Sequence, residues 1–184
     1  MINFQTDSRY YVHGYLSSPD GSKGSILKEK LSVEPITYRD VPAEQLVISN
    51  CLDEIKKVIG HKSDVVLIGS SLGGCLVSKI VLEIPDQIKQ IILLNPAIIP
   101  PDVDLSTIPD MPLRILKEMK DDRLFNEKLD TITTIFSATN DTVVPPEWVL
   151  QFARKQEATV QFLHDDHRFS QHLSQLPEMI FPFL

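Results

Sequence analysis

A chain of 184 residues, 42% hydrophobic and 23% charged, has the size and composition of a single globular domain (1–184) with a full core. Its formal charge of −7 argues against a nucleic-acid or anionic-membrane partner, and no apolar run approaches the ~18 residues of a membrane span. Cys51 and Cys75 lie in apolar helical contexts without metal-ligand spacing and read as core thiols, and the polar start MINFQTDSR lacks a signal-peptide core, so a cytoplasmic protein is the expectation.

Short apolar runs alternate with helix-like runs about six times along the chain. RYYVHG (Arg9–Gly14) reads as a strand, SKGSILKEKL (Ser22–Leu31) as a helix and EPITYR (Glu34–Arg39) as a strand. Pro42 opens a long predicted helix that runs to Ile59, with Val47, Cys51, Ile55, Val58 and Ile59 on its apolar face and Gly60 as the stop. DVVLIG (Asp64–Gly69) has no polar alternation, as a strand covered on both faces should read. A helix over 71–83 follows, then the strand QIILLNP (Gln90–Pro96), the strand TITTIFSA (Thr131–Ala138) and a helix from Pro145–Pro146 to about Gln156. The strand ATVQFLH (Ala158–His164) and a helix over Arg168–Ile180 close the chain. The alternation predicts an α/β, three-layer fold with a mostly parallel sheet of about six strands. Residues 98–130 break the rhythm. They are expected to form a short helical lid insertion over one end of the sheet, with a longer surface connection as the alternative, and Leu113, Leu116 and Met119 make an apolar face too narrow for a core helix.

In a parallel sheet the loops at the carboxyl ends of strands build the site. Gly69-Ser70-Ser71-Leu72-Gly73 matches G-x-S-x-G between a strand and a helix, the setting of a nucleophile on a strained turn. A phosphate loop fits less well, since GK[ST] is absent and the spacing is not G-x-G-x-x-G. The offset of Ser70 from the glycines is wrong for a nucleophile, and it reads as a structural hydroxyl. A serine needs a base. Asp141 follows one downstream strand and His167 the next, so the order is Ser71, Asp141, His167. Asp141 also reads as turn chemistry ahead of a helix. His164 reads as strand end, Asp165 and Asp166 as solvated loop residues, and His61 and His172 as surface residues. Leu72 and Tyr15 are placed to offer backbone N–H groups to an oxyanion, with His13 as a buried brace of the loop HGYLSSPDGSKGS.

The stretches YVHGYLSSPDGSKGSILK, VLIGSSLGG, LLNPAIIP, the ND turn at 140–141 and the final histidine turn resemble, in order and over nearly the whole length, a small α/β-hydrolase of the bacterial YqiA type. The resemblance implies strand order 2-1-3-4-5-6 and hydrolysis of a small ester or thioester through an acyl-enzyme, without metal or cofactor. It implies Ser71 as nucleophile, Asp141 as orienting acid, His167 as base, and Tyr15 and Leu72 as oxyanion donors. The turn HDDHRF is more charged than the glycine-rich turn usual in that family, and 102–130 match weakly. A non-catalytic protein that binds a small ligand or a protein partner through the same pocket is the alternative.

Overall fold

The computed structural model describes residues 8–184. Six strands form one sheet: β1 (Arg9–Val12), β2 (Glu34–Pro35), β3 (Val65–Ser70), β4 (Ile88–Leu94), β5 (Ile132–Ala138) and β6 (Thr159–Leu163). Every pairing is parallel and the spatial order is β2-β1-β3-β4-β5-β6, the order that the YqiA-type resemblance implies. Parallel strands need crossovers, and these are supplied by α1 (Ser22–Leu31), α2 (Ile48–Ile59), α3 (Leu72–Glu83), α4 (Leu113–Met119), α5 (Arg123–Asn126) and α6 (Pro146–Gln156), with α7 (Leu176–Ile180) at the end.

The pleat divides the core in two. Val12, Leu67, Ile91, Leu93 and Ile135 point to the face covered by α2, α3, α4 and α6, and Tyr11, Ile68, Ile92, Leu94 and Phe136 point to the face covered by α1 and α7. Both faces are covered, which is why Val65–Ile68 of β3 and Ile91–Leu94 of β4 read as continuous apolar runs. The chain runs outward from β1 to β2, then back across to β3. The carboxyl ends of β1 and β3 therefore flank the point where the order reverses, the crevice in which open α/β sheets bind ligands.

Three elements differ from the sequence reading. The helix expected from Pro42 starts at Ile48; Ala43–Gln45 form a single 3-10 turn, and Leu46 and Val47 are extended. Tertiary partners replace the helical ones there, since Glu118 Oε2 accepts from Ile48 N (2.7 Å) and Arg114 donates to Leu46 O (2.7 Å) and Glu44 O (2.6 Å). β2 covers only Glu34–Pro35; Ile36 N still donates to Tyr11 O (2.8 Å), which leaves Pro35, with no N–H, facing the open edge where a proline is tolerated. The last helix covers only Leu176–Ile180, because the carboxylates of Asp165 and Asp166 take the N–H groups of Arg168, Ser170, Gln171 and His172.

Within 98–130, Ile115, Leu116 and Met119 are buried in the main core and α4 packs on α2. Its apolar face is thus wider than Leu113, Leu116 and Met119 suggested: Ile115 completes the buried stripe, while Leu113 is half exposed. Burial of each such side chain is worth ~1.5–3 kcal/mol. That exceeds what exposed ion pairs supply, at ~0–1 kcal/mol each. Packing therefore holds α4 in place, and the buried pair Lys79–Asp121 (3.0 Å) ties the segment to α3.

Candidate active site

Ser71 follows β3 directly and opens α3. Its backbone stands at φ 54°, ψ −119°, a conformation that side-chain-bearing residues rarely adopt. Hydrogen bonds to the end of β4 and the residues after it fix the corner on both sides, Ser71 N donating to Leu94 O (3.0 Å) and Ala97 N donating to Ser71 O (3.0 Å). The flanking glycines are steric requirements. A Cβ at Gly73 would meet Val12 O at 2.0 Å, and one at Gly69 would meet Gly73 O at 2.5 Å. Ser70, the neighbouring hydroxyl, is buried beside the Tyr11 phenol.

The structure brings together the three side chains singled out from sequence. The Ser71 hydroxyl donates to His167 Nε2 at 3.0 Å, and His167 Nδ1 donates to Asp141 Oδ2 at 2.7 Å. Asp141 can only accept at that oxygen, so in the neutral imidazole the proton sits on Nδ1 and the lone pair on Nε2. Asp141 is buried, and its other oxygen accepts from Val143 N and Val144 N, both at 2.8 Å. The turn chemistry read at Asp141 is therefore present on one oxygen while the other faces the imidazole. His164 is exposed and lies against Asn140 instead (3.4 Å).

The loop after β1 crosses Ser71. A Cβ at Gly14 would lie 3.2 Å from Ser71 Cβ and 3.7 Å from its Oγ. Among the described residues, neither Tyr15 N–H nor Leu72 N–H donates to a protein acceptor. Leu72 is also the first residue of α3, where helical N–H groups are unpaired.

His13 is buried behind this loop as expected. Its Nδ1 donates to Gly14 O at 2.8 Å, and its ring stacks on Tyr38 at 4.4 Å between centroids. Burial pushes its pKa down to about 4, the hydrogen bond to Gly14 opposing that shift and Arg39 adding to it. An unfolded histidine titrates near ~6.5. The unfolded chain thus binds the extra proton between these values, so this contribution to stability is complete above ~6.5 and is lost as pH falls toward about 4. Urea midpoints at pH 7 and pH 4.5 should differ less for H13N than for the wild type; equal differences would remove His13 from the acid response.

Sequence reading missed three supports of the site. Asn95, at φ 44° and buried, accepts from Ala138 N at Oδ1 (2.7 Å) and donates through Nδ2 to His167 O (3.1 Å) and Asp166 O (3.5 Å). The signal was an Asn-Pro pair at a strand end, since asparagine tolerates the left-handed region. Asp165 is buried rather than solvated. It accepts from Asp166 N, Gln171 N, His172 N and His172 Nδ1 (2.8 Å), so His172 is a partner of the turn and not a free surface residue. Burial would raise the Asp165 carboxyl, but these hydrogen bonds outweigh it and hold the group below its ordinary range. The charged turn HDDHRF thus braces His167 with two carboxylates where glycines would leave the backbone free. Arg39 is the third, and donates to the carbonyls of Tyr15 (2.7 Å) and Ser17 (3.1 Å).

Among the described residues, no group of three or more His, Cys, Asp or Glu could hold a metal ion, and no helix is long and apolar enough to cross a membrane.

Solved structures with the same fold include Est1E from Butyrivibrio proteoclasticus with ferulic acid bound (TM-score 0.76, 20% identity, 96% of this chain and 88% of that one). Alpha/beta hydrolase domain-containing protein 10 from mouse superposes at TM-score 0.74 with 17% identity, over 97% of this chain and 90% of that one. Monoacylglycerol lipase from Paleococcus ferrophilus gives 0.72 with 14% identity, over 95% and 93%. At these identities the likeness establishes the α/β-hydrolase fold. No curated protein sequence matches the chain. A family model matches from the first residue of β1 to the last residue of the chain, 9–184, and the chain therefore belongs to the uncharacterised protein family UPF0227, in keeping with its YqiA-type appearance.

Proposed function

We propose that this protein is a serine hydrolase that cleaves small carboxylic esters or thioesters through an acyl-enzyme. The observation that carries this reading is the unbroken relay from Ser71 Oγ to His167 Nε2 (3.0 Å) and from His167 Nδ1 to Asp141 Oδ2 (2.7 Å). Ser71 Oγ attacks the acyl carbon and its proton passes to Nε2. The carbonyl oxygen becomes an oxyanion facing the N–H groups of Tyr15 and Leu72. Collapse breaks the bond to the leaving alcohol or thiol, which takes the proton from Nε2. Water then gives a proton to Nε2 and attacks the acyl-enzyme, and the acid leaves as Ser71 recovers its hydrogen. Protons move only among Ser71, His167, substrate and water, so this scheme calls on no cofactor.

A fluorophosphonate probe tests the reading directly. It should label the folded protein at Ser71, with parallel loss of p-nitrophenyl acetate hydrolysis. A protein that only binds a ligand through this pocket would stay unlabelled and inactive.

Residues 98–130 are proposed to roof the acyl pocket. The segment follows Ala97, whose N–H holds the Ser71 carbonyl, and it carries Ile108 and Met111 half-buried beside the core. Leu116 and Met119 are core residues, so Met111 is the better probe. M111W should lower the octanoate-to-acetate ratio of kcat/KM by about tenfold or more, given that a methylene in such a pocket is worth ~10–200-fold. An unchanged ratio would put the roof elsewhere.

A further inference from the structure

We propose that Arg39 is a positioning residue for the oxyanion site, locking the peptide that follows Tyr15. The proposal rests on the serine-hydrolase reading above.

The loop from His13 to Ser17 has its carbonyls held from behind. His13 O accepts from the Tyr38 hydroxyl (3.1 Å), Gly14 O from His13 Nδ1 (2.8 Å) and Ser17 N (3.3 Å), and Tyr15 O and Ser17 O from Arg39 Nη2 (2.7 and 3.1 Å). In a trans peptide the C=O and the following N–H point in opposite directions. A hydrogen bond that pulls Gly14 O away from the site therefore turns Tyr15 N–H the other way. That fixes one flank of Tyr15. Its other flank is the peptide carrying Tyr15 O, and among the described residues the guanidinium is its one hydrogen-bond partner. With both flanks held, Tyr15 has no remaining soft backbone dihedral through which its N–H can swing.

The guanidinium is itself held. Arg39 lies 6.0 Å over the Tyr38 ring, and Tyr38 stacks on His13. A planar fork reaching two carbonyls, charged at every working pH, suits this task in a way that a flexible ammonium does not. Arg39 is half-buried, at the rim of a cavity of about 460 Å³ also lined by Tyr38, Leu46 and Cys51, so a small cation can reach its place when the side chain is removed.

Loosening one oxyanion donor should cost less than deleting it, which costs ~10²–10³ in kcat. R39Q is expected to lose about 10–50-fold in kcat on p-nitrophenyl acetate with KM within twofold of wild type. Phenylboronic acid, whose tetrahedral adduct with Ser71 places an oxygen in the oxyanion position, should bind more weakly by a similar factor, while acetate binds as before. Millimolar guanidinium should restore part of the activity of R39A and none in S71A. R39K, which keeps the charge but not the fork, should fall between R39Q and wild type, and serves in place of R39Q if that variant does not fold. Unchanged kcat, a loss confined to KM, or equal weakening of boronate and acetate would each overturn the positioning role while leaving the hydrolase reading intact. A wild-type protein that neither hydrolyses the ester nor takes the fluorophosphonate probe would remove both.

Discussion

S71A should lose about a million-fold in turnover of p-nitrophenyl acetate while keeping the wild-type circular dichroism and urea midpoint. The expected size follows from the way a nucleophile and its base act as one unit, so that losing either costs nearly as much as losing both. The fold should hold because the hydroxyl contributes one hydrogen bond, to His167, and that imidazole keeps its partner in Asp141. The corner itself is fixed by backbone bonds to Leu94 and Ala97, which alanine retains. S70A is the internal control. Its hydroxyl is buried beside Tyr11 on the strand, and its loss should leave kcat within a few-fold. Near-wild-type turnover by S71A would take the nucleophile role from Ser71.

D141N should cost about four orders of magnitude in kcat, with a smaller effect on stability. The amide of this variant would still accept from Val143 N and Val144 N at its one oxygen. At the other position it would present an NH₂ group to His167 Nδ1, where a carboxylate oxygen now accepts at 2.7 Å. Two donors cannot face each other, so the imidazole would shift to the tautomer with its proton on Nε2. That nitrogen could no longer take the Ser71 proton. The carboxylate that balances the imidazolium during turnover would also be gone. Raising the pH does not correct a tautomer, so kcat of D141N should stay low up to pH 9. Activity recovering to within tenfold of wild type would mean that Asp141 serves the turn alone.

The strand-and-helix alternation was legible because both faces of the sheet are covered: β3 and β4 could be read from the apolar runs Val65–Ile68 and Ile91–Leu94, and Gly69, Gly73 and Ser71 from the steric demands of one corner. Asp141 and His167 were legible from their order and their place after strands. The supports were hidden for a common reason. Arg39 acts 24 residues from Tyr15, and Asn95 acts 72 residues from His167; such contacts leave no local periodicity. Asp165 was misread because an acidic pair in a loop resembles solvated surface until its four donors are placed around it. The same cause displaced the helix boundaries. Glu118 and Arg114 reach the Leu46–Ile48 backbone from some 70 residues away, and the Asp165 and Asp166 side chains capture N–H groups that a helix over 168–175 would have used.

The all-parallel order also bears on when, during folding, the proposed site is completed. No strand pair can form as a tight hairpin; each requires a crossover to close first, which makes the assembly rich in distant contacts and correspondingly slow. The Ser71 corner needs only β1, β3 and β4, but its hydrogen-bond partner His167 lies 96 residues away, beyond β6. A chain with its first strands paired therefore carries the corner and its serine without a base, and on the proposed mechanism it is chemically silent. On that mechanism the serine gains its base only once β6 has docked at the edge of the sheet and carried the turn with His167 to the Ser71 corner.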